Sequence, residues 1–197
     1  MADVVTSSHI DSAKKFPEIE TGRLILRQFS ENDIPDFVRI YGDEDGMLYM
    51  GKGAKTPQES AQSVRWKMKH WVDRGYGLWC VEEKKSGSVV GHCGVAWLEW
   101  MNDIEIAYLI SRDHWGKGYA TEAVTAAIAY GFEVVHAPQI IAIIRPDNVQ
   151  SERVAEKAGL KYFKDTTNGG FPFRCFKIDG KSFNGNRKSY KTRVVSS

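Results

Sequence analysis

The sequence predicts an α/β fold built as one domain, and three observations carry that prediction. Segments with a helical period of apolar residues alternate along the chain with short runs of β-branched and aromatic residues. One run, QIIAIIR at 139–145, is apolar on both faces, as expected of a strand buried in the middle of a sheet. The 197 residues are 42% hydrophobic and 26% charged, which suits one domain with a sizeable core.

In the first half of the chain, capping residues define two helices that follow an opening strand. RLILRQF at 23–29 predicts that strand, and Ser30 can cap the helix after it. The stretch TPQE places Thr56 as an N-cap three residues before Glu59, which forms a capping box. We therefore expect a second helix that ends near Gly75.

The second half predicts most of the sheet and two further helices. GLWCVEE and VVGHCGVAWLEW flank the turn signal KKSGS, which indicates a hairpin, and NDIEIAYLIS predicts a third strand behind it. From Ala120 to Phe132, small apolar residues recur at helical spacing, so this helix should lie close to whatever it covers. NVQSERVAEKAGL predicts a short helix ended by Gly159, and KYFKD and FRCFKID predict two last strands.

The two ends of the chain differ from its body in residue pattern and charge. Residues 1–19 show no periodicity and predict a flexible N-terminal arm, whereas residues 20–180 predict the single domain. From Gly180 onward there are five basic residues and no acidic ones, so residues 181–197 predict a basic C-terminal tail.

Composition narrows the classes of function. The net charge of +2, without a concentrated basic patch, argues against a nucleic-acid partner. No apolar run reaches the roughly 18–20 residues of a membrane span, and the N-terminal segment lacks the apolar core of a signal peptide. Cys80, Cys93 and Cys175 lack the paired spacing of a metal site, which favours reduced thiols. We expect a cytoplasmic protein, with access to the nucleus open, and no membrane partner.

The stretch WGKGYATEA at 115–123 links a predicted strand to the alanine-rich helix. Backbone N–H groups at a helix N-terminus, with the helix dipole behind them, form an anion site. Gly116 and Gly118 would let the main chain approach a phosphate closely, and Lys117 adds a cation. The spacing matches neither a Walker motif nor a dinucleotide fingerprint. Taken alone, the loop is equally consistent with a tight turn that binds nothing.

Three segments together resemble the GNAT family of N-acetyltransferases, and within it the RimJ/RimL-type branch of ribosomal-protein acetyltransferases. They are ETGRLILRQFSENDIPDF at 20–37, IEIAYLISRDHWGKGYATEA at 104–123 and NVQSERVAEKAGL at 148–160. The resemblance covers roughly residues 20–180. It implies a mixed, mostly antiparallel sheet of six to seven strands flanked by about four helices. It also implies direct transfer of the acetyl group of acetyl-CoA to a primary amine in a ternary complex, without a metal.

The resemblance assigns cofactor contacts residue by residue. Main-chain groups of Leu109 and Ile110 would pair with the pantetheine arm like an added strand, and Asn148 would hydrogen-bond the pantetheine or phosphate region. The pyrophosphate would be wrapped by the loop residues Gly116, Lys117, Gly118, Tyr119, Ala120 and Thr121. Trp115 stands where the wider family usually has Gln or Arg, but the grip is mostly main chain, so binding is not put in doubt.

Two residues are candidates for the chemistry. Glu105 interrupts an apolar strand and could accept the proton of the attacking amine through a water, although a salt link would equally explain it. Many of these enzymes carry a Tyr where this chain has Ala155. The branch has a Ser three residues after the Asn, here Ser151, which could stabilise the departing thiolate or be an ordinary helix serine.

The sequence alone does not identify the acceptor amine. The acidic stretch GDEDG at 42–46 and the tryptophans Trp66, Trp71, Trp97 and Trp100 could draw and stack a cationic amine, or be a solvated loop and core side chains. A protein N-terminus, a polyamine, an arylalkylamine or an amino sugar would each fit, in a monomer or a homodimer. A non-catalytic acyl-CoA-binding sensor is the alternative, although Glu105 and Ser151 argue against it.

Overall fold

The computed structural model describes residues 16–183 and 190–194. Its helices are α1 (Ile34–Tyr41), α2 (Glu44–Met47), α3 (Pro57–Arg74), α4 (Tyr119–Glu133) and α5 (Val149–Lys157). Its strands are β1 (Pro17–Thr21), β2 (Leu24–Arg27), β3 (Leu78–Glu83), β4 (Val89–Leu98), β5 (Asp103–Ile110), β6 (Gln139–Ile144), β7 (Lys161–Asn168), β8 (Phe171–Asp179) and β9 (Tyr190–Val194).

Over these residues the strands form one sheet in the order β7-β8-β6-β5-β4-β3-β2-β1-β9. Every neighbouring pair is antiparallel except β5 and β6, which are parallel. The mixed, mostly antiparallel sheet is therefore confirmed, and the described helices number five, including the single turn α2. The nine strands exceed the six to seven expected.

The extra strands come from the predicted arm and tail, and there the prediction was wrong. Pro17–Thr21 forms β1, and β9 pairs with it in full antiparallel register. Phe16 packs on Trp71 with ring centroids 5.2 Å apart, and the Trp79 indole donates to the Pro17 carbonyl at 2.8 Å. PEIET has only Ile19 as a fully buried apolar residue, so its pattern predicts no strand. The remaining parts of both segments, residues 1–15, 184–189 and 195–197, lie outside the described residues.

The predicted helix boundaries are largely confirmed because their signals are local. Thr56 caps α3 by accepting the backbone N–H of Glu59 at 3.2 Å, and Gly75 ends it in the left-handed region at φ +76°. Ser30 precedes a short 3-10 turn at 31–33 that leads into α1. A Cβ on Gly131 of α4 would lie 2.6 Å from the Ile140 side chain, which confirms the close approach expected of the small-residue helix.

Two apolar cores cover the two faces of the sheet. One packs the sheet against α4 and includes Val124, Ile128, Ile106 and Ile140. The other packs the opposite face against α1 and α3 and contains residues such as Phe37, Val64, Ala96 and Leu109. Since side chains alternate along a strand, Glu105 shares the face of Leu109, whereas Tyr108 shares the face of Ile106.

The sheet opens between its two parallel strands. Although β5 has eight residues and β6 has six, only Glu105 and Ile141 are in register between them. Beyond that pair the strands diverge toward their carboxyl ends, where α4 and α5 begin. We call this wedge the β5–β6 opening, and it positions the candidate site.

Candidate active site

One edge of the opening presents main-chain groups without a strand partner. The Ser111 N–H donates to the Val90 carbonyl at 2.8 Å, so alternate residues of β5, including Leu109, point their main-chain groups toward β4. Tyr108 and Ile110 point theirs into the opening, and the Ile110 carbonyl accepts from the Trp115 indole at 2.7 Å. The geometry therefore favours the main-chain groups of Tyr108 and the Ile110 N–H as the groups that an added strand would pair with. It contradicts that role for Leu109, whose main-chain groups point toward β4.

At the wide end of the opening lies the N-terminus of α4. Gly116 and Gly118 adopt φ of +73° and +79°, the left-handed conformations that glycine tolerates best. In contrast with α3 and α5, α4 has no side-chain cap on its first N–H groups. These donors belong to the loop residues that were expected to wrap an anion. An oxyanion would satisfy them, because the first N–H groups of a helix have no acceptor within the helix.

Arg23 braces this loop, and the sequence analysis did not identify it. Its Nη1 donates to the Lys117 carbonyl at 2.7 Å, and its guanidinium pairs with Glu122 of the first turn of α4 at 2.6–2.7 Å. Glu122 also accepts from the Thr21 hydroxyl at 2.6 Å and from the Arg23 backbone N–H at 2.8 Å. Because the Lys117 carbonyl is held by Arg23, it is turned toward the β1–β2 turn.

The remaining loop residues contribute backbone more than side chain. The Tyr119 ring lies under the Arg23 guanidinium at 4.8 Å, and its hydroxyl donates to Glu83. The Thr121 carbonyl accepts from Thr125 at 2.8 Å. Because the Tyr119 side chain and the Thr121 carbonyl are engaged inside the protein, the N–H groups of Tyr119, Ala120 and Thr121 are the main-chain donors left to meet an anion.

On the other side of the opening, α5 begins with Asn148 as its N-cap. The Asn148 Oδ1 accepts the Ser151 N–H at 3.1 Å, so only its amide N–H₂ is left to donate to a ligand. The Ser151 hydroxyl lies 2.7 Å from the Tyr108 hydroxyl, which also donates to the Ser151 carbonyl at 2.9 Å. Burial raises the pKa of the Tyr108 phenol, so this hydroxyl pair stays protonated. Tyr108 was missed, although it interrupts the apolar strand as Glu105 does.

Glu105 lies at the narrow end of the opening, beside the last residue pair in register. Its side chain is only half-buried by accessible surface, yet the surrounding protein raises the pKa of its carboxyl to about 8. Burial is the main cause, and a backbone hydrogen bond from Ile143 opposes it. A carboxylate with such a pKa suits a general base near neutral pH, and no salt link to Glu105 is present among the described residues.

Two of the three carboxylates in the acidic stretch are already paired. Asp43 and Asp45 both pair with Arg112, and Asp43 also caps α2. Of the tryptophans considered for the acceptor, Trp71 is fully buried in the core, whereas Trp66 and Trp100 are exposed. Trp100 lies 6.3 Å from Phe173, centroid to centroid. The structure therefore brings Trp100, rather than the acidic stretch, toward β8.

Two histidines of the described residues, His92 and His114, lie beside hydroxyl groups of the protein. His92 is buried, its Nδ1 lies 3.0 Å from the Tyr41 hydroxyl, and burial holds its pKa well below the usual value. His114 contacts the Ser111 hydroxyl at 2.8 Å. Within residues 16–183 and 190–194, no group of three or more His, Cys, Asp or Glu is placed to hold a metal ion. In the same residues, no helix has the length and apolarity to cross a membrane.

The chain is similar in sequence to known acetyltransferases. The acetyltransferase (GNAT) domain family matches residues 23–161. YkkB of Bacillus subtilis, an uncharacterised protein, is 34% identical over 170 residues, which are 85% of this chain and 97% of YkkB. YoaA of the same organism, an uncharacterised N-acetyltransferase, is 28% identical over 148 residues, which are 74% of this chain and 84% of YoaA.

Solved structures show the same fold. A GNAT-family acetyltransferase from Bacillus anthracis superposes with a TM-score of 0.72 at 28% identity, covering 83% of this chain and 99% of that one. A putative ribosomal-protein-serine acetyltransferase from Vibrio cholerae superposes with a TM-score of 0.69 at 21% identity, over 82% and 97% of the two chains. The chain therefore belongs to the GNAT family, in its RimJ/RimL-like branch, and is an acetyl-CoA-dependent N-acetyltransferase.

Proposed function

We propose that the protein transfers the acetyl group of acetyl-CoA directly to a primary amine, either a protein N-terminus or a small molecule, with Glu105 and Ser151 as its catalytic residues. The β5–β6 opening carries the proposal, because it joins the uncapped N-terminus of α4 at one end to Glu105 at the other. No metal takes part. A cytoplasmic location and a monomeric or homodimeric state stay predictions.

The described residues fit acetyl-CoA along the whole opening. The N–H groups from Gly116 to Thr121 face the pyrophosphate, with Lys117 as a flanking cation. The free main-chain groups of Tyr108 and the Ile110 N–H pair with the pantetheine arm, as an added strand would. The Asn148 amide donates from the opposite wall. The thioester then lies between the two strands, open to both faces of the sheet.

The two faces of the sheet divide the chemistry. The amine reaches the thioester from the face of Glu105, and the Glu105 carboxylate takes its proton through a bound water. Attack on the carbonyl carbon forms a tetrahedral oxyanion, which a β5 N–H directed into the opening stabilises. The intermediate expels the CoA thiolate toward the opposite face, where the Ser151 hydroxyl donates its one proton to the sulfur. The Tyr108 hydroxyl then donates to the Ser151 oxygen instead of to the Ser151 carbonyl.

The proposed function is tested by thiol release from acetyl-CoA over a library of amines and peptides, with mass spectrometry of the products. We expect a product heavier by one acetyl group and an equal amount of CoA. Calorimetry should show binding of CoA and none of ATP with Mg²⁺. Binding of CoA without transfer to any acceptor would support the acyl-CoA sensor instead.

Replacing Ser151 by Ala should lower turnover roughly 10- to 150-fold, since a hydrogen bond to a charged group contributes about 1.5–3 kcal/mol. The KM for acetyl-CoA should change little, because the uncharged thioester gains less from the hydroxyl than the thiolate does. The fold should survive, since Tyr108 can still donate to the carbonyl of residue 151 and Asn148 still caps α5. Steady-state kinetics on the variant check this expectation.

An acyl donor with a more acidic leaving thiol provides the control for Ser151→Ala. Such a thiolate needs less stabilisation, so the variant should lose much less activity with that donor. Equal losses with both donors would mean that Ser151 positions the cofactor, and no loss would leave it as an ordinary helix serine. Tyr108→Phe should give a smaller loss than Ser151→Ala, because Tyr108 acts through Ser151.

Replacing Arg23 by Gln should weaken CoA binding by about tenfold, because it releases the Lys117 carbonyl and loosens the phosphate loop. The binding of S-acetylpantetheine, which lacks the pyrophosphate, should be unaffected. Arg65→Gln is the matched control, since Arg65 pairs with Glu31 at 2.7 Å and is as exposed as Arg23. Calorimetry with both ligands checks this, and equal weakening for both would mean a general loss of structure.

A further inference from the structure

Arg145 directly follows β6 and lies on the same face of the sheet as Glu105. Its guanidinium lies 4.6 Å from the Phe171 ring centroid and 6.0 Å from that of Phe173. Phe173 shares its face of β8 with Cys175, whose register partner is Ile143, and Glu105 is in register with Ile141 on that face. Arg145 is thus four residues along the strand from the partner of Glu105, which corresponds to about 13 Å.

The Arg145 guanidinium has aromatic neighbours but no anion. Within the described part of the chain it makes no hydrogen bond or ion pair, and its Nε is buried without an acceptor. By contrast, Arg174 on the next strand pairs with Glu152 at 2.6 Å. A buried donor without an acceptor costs free energy, and a guanidinium is the side chain best suited to a planar carboxylate or a phosphate. A carboxylate or phosphate oxygen would supply the acceptor that this guanidinium lacks.

Two lysines share this face of the sheet with Arg145. Lys164 is in register with Cys175, and Lys177 is in register with Ile141, so both amines lie on the Glu105 side of the sheet. Each Nζ lies 5.5 Å from the Phe163 ring centroid. The raised pKa leaves Glu105 mostly protonated at neutral pH. These lysines and Arg145 would repel a cationic acceptor, whereas they would attract an anionic group.

Two acidic residues of this region are already engaged. Asp103 accepts a hydrogen bond from Gln139 at the closed end of the strands, and Asp45 pairs with Arg112. A surface hollow beside Arg145 is lined by residues of β7, β8 and the segment after β6, namely Pro146, Asp165, Thr166, Thr167, Pro172, Phe173 and Arg174. Asp165 is the one acidic residue in that lining, which also contains the cationic Arg174. The Trp100 ring lies 6.3 Å, centroid to centroid, from Phe173 of that lining.

We propose that the acceptor is an amine that also carries a carboxylate or phosphate, and that Arg145 binds this anion while the amine lies near Glu105. The inference rests on the proposed function and narrows its acceptor. Because the distance along β6 is about 13 Å, several bonds must separate the amine of the acceptor from its anion. That spacing suits a long ω-amino acid, or a peptide with an acidic residue near its N-terminus, better than an α-amino acid. Polyamines should be poor acceptors.

The test compares acceptors of one length that differ only at the far end. We would measure kcat/KM for straight-chain amines of increasing length that end in a carboxylate, in its amide or in a second ammonium. We expect the carboxylate to exceed the amide by about 10- to 100-fold at the best length, and the diamine to be slowest. Peptides with Glu or Gln at the second and third positions form a parallel arm, which distinguishes a peptide from a free acid as the source of the anion.

Arg145→Gln should abolish the preference for the carboxylate over the amide, and Arg145→Lys should restore part of it, because an ammonium keeps the charge without the planar fork. Arg153→Gln is the control, since Arg153 is exposed on α5, and it should keep the full preference. A parent enzyme that acetylates diamines as well as ω-amino acids, or an Arg145→Gln variant that keeps the preference, would overturn this inference alone. A parent that binds no CoA and acetylates nothing would overturn the proposed function with it.

Discussion

Glu105→Gln should lower kcat at pH 7 by about 100-fold while leaving the affinity for acetyl-CoA nearly unchanged, since a positioned general base contributes roughly 10²–10⁴-fold. Because the pKa of Glu105 is about 8, the parent's rate should rise with pH through an inflection there. The variant should lose that inflection and keep only the one set by the acceptor amine. Higher pH should restore part of the lost rate, because the amine then deprotonates unaided. Kinetics from pH 6 to pH 10 check both expectations.

Glu105→Gln should also raise the free energy of unfolding at pH 8. Together with the rate, this measurement distinguishes a catalytic role of Glu105 from a structural one. In the folded protein the pKa of Glu105 is raised from 4.5 to about 8, so the folded state keeps a proton that the unfolded state releases. The free energy of unfolding therefore falls as pH rises from about 4.5 to 8. The Glu105→Gln variant lacks this fall, because the glutamine side chain does not titrate. Thermal melts should show a higher Tm for Glu105→Gln at pH 8 and little difference at pH 4.

Glu156→Gln, at an exposed position of α5, is the control for both measurements and should change neither. If Glu105→Gln gains stability at pH 8 but stays within threefold of the parent's rate at pH 7, Glu105 is a structural residue in the cleft. If it loses rate without gaining stability, the raised pKa is not a property of the folded protein.

Gly118→Val should abolish measurable CoA binding, an effect of at least 100-fold. Gly118 has φ of +79° at the N-cap of α4, and a Cβ there would lie 3.4 Å from Nη2 of Arg23. A β-branched residue strongly disfavours this conformation, so the chain must shift the N–H groups that face the pyrophosphate. The added side chain would also contact Arg23, which holds the neighbouring carbonyl. Calorimetric titration with CoA measures the loss.

Gly75→Val supplies a matched control for backbone strain. Gly75 has nearly the same φ, +76°, and no atom within 4 Å of its Cβ position, but it ends α3 instead of starting α4. Both variants should lose stability, whereas only Gly118→Val should lose CoA binding. Retained CoA affinity in a folded Gly118→Val variant would show that the pyrophosphate lies elsewhere.

Local patterns predicted the elements that surround the opening. The capping box at Thr56 and Glu59, the glycines of the loop at 116–118 and the helix that ends at Gly159 all act within a few residues of sequence. The apolar strand at 139–145 is likewise a local pattern, and it forms the buried β6. The fold class and the helix boundaries followed from such patterns because their causes are capping, backbone conformation and burial of neighbouring side chains. The family followed instead from the resemblance of three segments to known sequences.

By itself, then, the sequence determined the α/β class and the helix boundaries, and it predicted the phosphate loop and the two candidate catalytic residues. The tertiary structure decided what depends on residues far apart in the chain. Arg23 meets Glu122 across 99 residues, and Tyr108 meets Ser151 across 43. The direction of main-chain groups along β5, which favours Ile110 over Leu109, is set by pairing with β4 and cannot be read from side-chain alternation. Likewise, Arg145 lacks an anion only because folding places it over Phe171 and Phe173, away from every described carboxylate that could pair with it.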